Sequence, residues 1–178
     1  MPSDDLSHLF DLAAEEALLG NMLLDPGAIP TAAEIVGAAD FANRDHGALF
    51  DALVNLQRAG LPIGDTVVLL GELRSMNLPK AVANAGFIAK IINDGCVHHE
   101  RFYAMRIREL AHRRRMIAVA DRLSRQAADL SMPLEELQGR ARAAVDSVGI
   151  RSSAGIVTIG EAAKAVVAEL RERPEDRG

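Results

Sequence analysis

The stretch HERFYAMRIRELAHRRRMIAVADRLSRQAADL, residues 99–130, contains neither glycine nor proline and is built from good helix formers. About thirty residues at 1.5 Å rise make a rod roughly 45 Å long, too long for an ordinary bundle helix. Ser131-Met132-Pro133 breaks it, and Pro133 suits the first turn of a following helix. Leu134 to Val148 reads as the return arm, carrying Leu137, Ala141, Ala144, Val145 and Val148. Long helix, tight turn and return helix make a projecting αα-hairpin. Two apolar stripes run along the long helix, one of Met116, Val119, Leu123 and Leu130, the other of Leu110, Ile117, Ala120 and Ala127. The return arm can cover one stripe, which leaves the other for a partner molecule.

Upstream of the hairpin the pattern is of short helices. Residues 1–12 are polar, with Leu9, Phe10 and Leu12 available to pack down. A helix from near Ala13 places Ala14, Leu18, Leu19, Met22 and Leu23 on one face, and Asp25-Pro26-Gly27 stops it. Ile29 to Val36 forms a second helix and Asp40-Phe41 a turn. A third runs from a cap at Asp45 to Gln57, with Leu49, Phe50, Leu53 and Leu56 inward. After the connector Gly60-Leu61-Pro62-Ile63, Asp65 caps a fourth helix to about Ser75, and Ala85 to Ile92 supplies a fifth.

The composition agrees with an all-α fold. Of 178 residues 30 are alanine, aromatics are 3% and there is no tryptophan. Small residues pack helix against helix, whereas strands favour β-branched and aromatic ones. The single cysteine, Cys96, excludes a disulfide scaffold and a four-Cys zinc site. No apolar run reaches the ~18–20 residues of a membrane helix, so a cytoplasmic protein without membrane contact is expected. The net charge of −5 is uneven: residues 1–97 carry 5 basic and 13 acidic groups, residues 98–150 carry 10 and 7. An acidic front half repels a phosphate backbone, and weak or no DNA binding by this chain follows.

The expected organisation is a globular bundle over residues 9–97, the long helix and hairpin over 98–148, a flexible linker over 149–157 and a last helix over 158–173. That helix places Ile159, Ala163, Val166 and Leu170 along one docking face before Pro174 ends it.

Glu16-Ala17-Leu18-Leu19-Gly20-Asn21-Met22-Leu23-Leu24-Asp25 resembles the opening motif of the N-terminal domain of DnaB-type bacterial replicative DNA helicases. Asp40-Phe41, His46-Gly47-Ala48-Leu49-Phe50-Asp51-Ala52-Leu53 and Gly60-Leu61-Pro62-Ile63 follow in that family's order. So do Thr66 to Leu73, Phe87-Ile88-Ala89-Lys90-Ile91-Ile92-Asn93 and the long helix with Arg114-Arg115-Met116-Ile117. The chain departs from the family at Ala81 to Gly86, where members usually carry a Gly-rich turn. The resemblance implies a collar domain in DNA replication. It implies self-association through the hairpin, from a dimer to a hexameric ring, with a DnaG-type primase and a helicase loader as partners. It also implies that ATP and magnesium, and with them unwinding, belong to a RecA-like motor domain beyond the linker helix. Two other readings are a stand-alone helicase-binding regulator or loader mimicking the collar, and a small DNA-binding bundle.

No catalytic, cofactor-binding or metal site emerges from the residues themselves. Gly155-Ile156-Val157-Thr158-Ile159-Gly160-Glu161 misses a phosphate-binding loop, because Glu161 stands where the phosphate-binding Lys is required and Ala162 where a hydroxyl should hold magnesium. Cys96, His98 and His99 cluster in sequence, yet adjacent residues at a helix start point about 100° apart, which favours a polar helix entry over a metal site. His112-Arg113-Arg114-Arg115 wraps right round a helix, so a solvated face with local ion pairs outweighs a one-sided nucleic-acid patch.

Overall fold

The computed structural model describes residues 6–95 and 99–148, the side chain of Val148 excepted. The segments at 149–157 and 158–173, with Ile159, Ala163, Val166 and Leu170, lie outside the described residues, as do Cys96 and His98. Among the described residues every regular element is helical. A 3₁₀ turn, Leu6–Leu9, precedes α1 (Leu12–Leu24) and α2 (Ala28–Ile35), and a second, Ala38–Asp40, leads into α3 (Arg44–Arg58). Then come α4 (Thr66–Ser75), α5 (Ala85–Asn93), the long α6 (Glu100–Ala127) and α7 (Leu134–Val148). No helix among them is long and apolar enough to cross a membrane.

Short polar side chains start the helices. Asp11 accepts from the Ala14 N–H at 3.1 Å, Asp65 from Val67 and Val68 at 2.9 and 3.2 Å, and Asn84 from Gly86 at 2.7 Å. Each such cap contributes about 1 kcal/mol. Asp45 does not cap α3 as its sequence suggests. Asn43 does, because its extended backbone (φ −84°, ψ 122°) puts Oδ1 2.8 Å from the Asp45 N–H. Asp45 sits in the first turn, where its charge complements the helix dipole. At the other end of α3, Gly60 adopts φ +71°. The Gly60 and Leu61 N–H groups reach back to the Gln57 and Leu56 carbonyls, a Schellman termination that only glycine enters without strain.

Helix α1 was expected to bury one face and instead is buried almost all round, from Ala14 to Leu23 with only Glu16 partly open. It packs on α3, α5 and α6 at once. Its Gly20 lies so close to the α5 terminus that an added Cβ would stand 2.3 Å from the Gly95 Cα. Leu18, Leu19, Met22, Leu49, Leu53, Leu73, Ile88 and Ile91 fill the core around it.

Helix α6 changes role along its 28 residues. Ala104, Ile107, Leu110 and Ala111 are buried in the bundle. Beyond them α6 still borders the two 3₁₀ turns as far as Ile117 and Ala118, and α7 packs along it. The connecting turn is drawn tight by Asp129, whose Oδ1 accepts from the Ser131 N–H at 3.0 Å and the Ser131 hydroxyl at 2.6 Å.

Candidate interaction surface

The hairpin is fixed to the bundle at its base by arginines. Arg114 Nη1 donates to the Leu9 carbonyl at 2.7 Å, its Nη2 donates to the Asp40 carbonyl, and the guanidinium lies 5.6 Å from the Phe10 ring centroid. Arg115 pairs with the Asp40 carboxylate at 2.8 Å, and Arg106 with Asp11 at 3.2 Å. Partial burial lowers the Arg114 pKa from its ordinary value, against the opposing pull of Glu15 and Asp40. Of the basic run, Arg113 makes the local ion pair with Glu109 at 2.7 Å that the sequence suggests. Arg114 and Arg115 instead bind the hairpin to chain segments more than seventy residues away.

Behind this base lies a polar cluster that the sequence did not disclose. Glu15, in the first turn of α1, is 2% exposed. Its carboxylate accepts from the Ala42 and Asn43 N–H groups and meets His46 Nδ1 at 2.8 Å. Three contacts to one carboxylate thus tie the entry of α3 to α1. Towards solvent, Glu16 and Asp94 flank Lys90 and raise its pKa through hydrogen bonds, that of Glu16 foremost. The cluster acts as a structural clasp, because the Glu15 carboxylate holds two backbone N–H groups and a side chain at the entry of α3.

The hairpin residues chosen from sequence separate into three groups. Val119 and Leu123 are half-buried on the row that α7 covers. Met116, Ala120, Ala127 and Leu130 are exposed, Met116 at 55% and Leu130 at 96%. Leu110, one of the eight hairpin residues expected to serve association, is 4% exposed, because α6 is still inside the bundle at that point. Ile117 is also served within the chain: with Leu6, Leu9, Phe10 and Ala118 it lines a depression of about 220 Å³ beside the N-terminal turn. Leu130 lies past the end of α6, in the turn.

On α6 two exposed apolar residues escaped the sequence reading, Phe102 at 67% and Met105 at 56%. Counted at about 100° per residue, both fall on the same side of α6 as Met116 and Ala120. Extending the helical projection four turns back from Met116 would have found them. Val145 and Leu134 on α7 are likewise exposed, at 63% and 68%.

The sequence matches the family described as the DnaB-like helicase N terminal domain over residues 7–109. It is 26% identical over 144 residues to the replicative DNA helicase DnaC of Bacillus subtilis, covering 80% of this chain and 32% of that protein. It is 30% identical over 125 residues to the replicative DNA helicase DnaB of Mycobacterium leprae, covering 68% of this chain and 20% of that protein. The chain therefore spans about a third or less of these relatives. The crystal structure of the N-terminal domain of DnaB helicase from Mycobacterium tuberculosis superposes with a TM-score of 0.71 at 28% identity, over 79% of this chain and 98% of that one. The corresponding domain from Helicobacter pylori gives 0.57 at 19% identity, over 70% and 98%, a likeness of fold.

Proposed function

The chain belongs to the DnaB-like helicase N-terminal domain family, and on that premise we propose that it is the collar of a replicative DNA helicase, associating with its own kind and docking primase. The observation that carries the first half is the exposed apolar side of the hairpin, with Met116, Ala120 and Ala127 left uncovered by α7. An apolar row of this kind on a projecting element is the usual mark of an interface. The second half is supported by the Helicobacter pylori domain, whose structure concerns its interactions with primase. A helicase loader is a further partner on this reading. ATP, magnesium and unwinding fall to a RecA-like motor domain, because no Lys-Ser or Lys-Thr pair follows a glycine loop in this sequence.

Light scattering on the full chain, followed by calorimetric titration with a bacterial DnaG-type primase, tests both halves. Concentration-dependent dimers or larger rings and a saturable heat with primase are expected. A monomer at hundreds of micromolar that gives no heat with primase defeats the proposal.

A further inference from the structure

On the flank of the hairpin, between α6 and α7, lies an open notch of about 360 Å³. Arg122 and Gln126 line it from α6, and Arg140 and Ser147 from α7, over a floor of Ala143 and Ala144. The two arginines come from opposite helices and line a space that the small alanines leave open. Among the described residues Arg122 has no hydrogen-bond or ion-pair partner. Arg140 spends Nη2 on Glu136, one turn away, and keeps its other N–H donors free for a ligand. The Ser147 hydroxyl donates to the Ala144 carbonyl, so its oxygen remains an acceptor.

Guanidinium forks match carboxylates in bidentate geometry, and the pairing gains strength where the surroundings are partly desolvated. We propose that this notch docks an acidic peptide segment of a partner protein, a carboxylate seated between Arg122 and Arg140 with the amide of Gln126 donating beside it. Charge placement favours a peptide over nucleic acid. The hairpin interleaves its arginines with Asp121, Asp129, Glu135, Glu136 and Asp146. A continuous phosphate backbone would be repelled at each of these, whereas one or two carboxylates need only the paired arginines. The proposal does not depend on the chain being a helicase collar.

The test uses the full chain and hexaglutamate as the probe, followed by nuclear magnetic resonance at low ionic strength, with hexaglutamine, inorganic phosphate and a single-stranded oligonucleotide as comparisons. Hexaglutamate should shift the resonances of Gln126, Ala144 and Ser147, and hexaglutamine should not. Arg122→Ala and Arg140→Ala should each weaken binding about tenfold, the loss of one charge-assisted bidentate pair, while Arg125→Ala, an equal change of charge on an exposed site, should leave it within about twofold. Both notch arginines serve no core contact, so unchanged helicity shows that folding is not the cause. Equal losses from Arg122→Ala and Arg125→Ala mean general attraction only and overturn the proposal. So do tighter binding of the oligonucleotide or of phosphate through the same two arginines, and notch resonances that move only with protein concentration, which would put a second copy there.

Discussion

Glu15 on α1 and His46 on α3 meet at 2.8 Å, and each is 2% exposed. A buried carboxylate is tolerated only when its acceptor sites are filled, and here the Ala42 and Asn43 N–H groups fill the remainder. The pair therefore fixes where the chain turns from the Ala38–Asp40 segment into α3. The same segment supplies Asp40 to Arg114 and Arg115. Residues 40–43 thus link the buried first turn of α1 to the root of the hairpin.

Glu15→Ala leaves two backbone donors and a histidine nitrogen without their acceptor in the interior. A buried donor left without its acceptor costs about 1–3 kcal/mol. Urea unfolding of the two single variants Glu15→Ala and His46→Ala and their double should show strong coupling, with the double little worse than Glu15→Ala alone. Additive losses would mean that the two side chains contribute separately.

Two glycines on helices should respond to alanine in opposite directions. At Gly20 the new methyl meets the Gly95 Cα and the Ile91 carbonyl oxygen, at 2.3 and 2.4 Å, and backbone cannot step aside as a side chain can. Gly20→Ala should destabilise by about 1–3 kcal/mol. Gly71 lies in α4 with nothing within 4 Å of the added atom, so Gly71→Ala should stabilise by up to about 1 kcal/mol. Thermal melts of both variants read the sign directly.

These two glycines also mark what could be read from sequence. The helices were legible because their signals are local: the cap at Asp65, breaks at Pro26 and Pro133, and the unbroken stretch that became α6. Long-range approach is not local. Nothing in the neighbourhood of Gly20 announces Gly95, and a glutamate at a position with no apolar period reads as solvent-facing until His46 is brought to it. For the same reason Leu110 passed as hairpin surface, since its row continues that of Ile117 without any sign that the bundle still encloses it. Met116 and Ala120 read as members of two different stripes, and only the seat of α7 leaves both exposed while Val119 and Leu123 are half-buried.

Arg114→Lys should loosen the hairpin's root. A lysine ammonium is a single point of donation and cannot span the Leu9 and Asp40 carbonyls as the guanidinium fork does. The loss of a hydrogen bond from a charged group, about 1.5–3 kcal/mol, should show in the melting temperature. Hydrogen exchange should rise first around Leu9 and Asp40, and an unchanged exchange pattern there would mean that the hairpin is seated by packing alone.

The Ser131 hydroxyl, and then its backbone N–H, hold the Asp129 carboxyl below the ordinary aspartate pKa. A depressed folded-state pKa makes the turn's contribution present above the ordinary aspartate range and lost as pH falls through the lowered value. Ser131→Ala should move the Asp129 titration, followed by nuclear magnetic resonance, upward towards the ordinary range while leaving α6 intact.

The two sides of the outer α6 can be separated by charge. Leu123 is half-buried on the row covered by α7, so Leu123→Asp places a carboxylate inside the hairpin with no partner. That variant should lose protection from hydrogen exchange along α7 and some helical signal, even as a monomer. Met116, at 55% exposed, stands outside the hairpin's own packing. Met116→Asp should therefore leave helicity and the melting temperature of the monomer nearly unchanged and shift the light-scattering mass towards monomer. A micromolar dimer rests on about 8 kcal/mol, so one desolvated, unpaired carboxylate costing several kcal/mol is enough to dissolve it. If Met116→Asp lowers helicity while Leu123→Asp only dissociates the oligomer, the two faces are reversed and Val119 and Leu123 form the contact between copies.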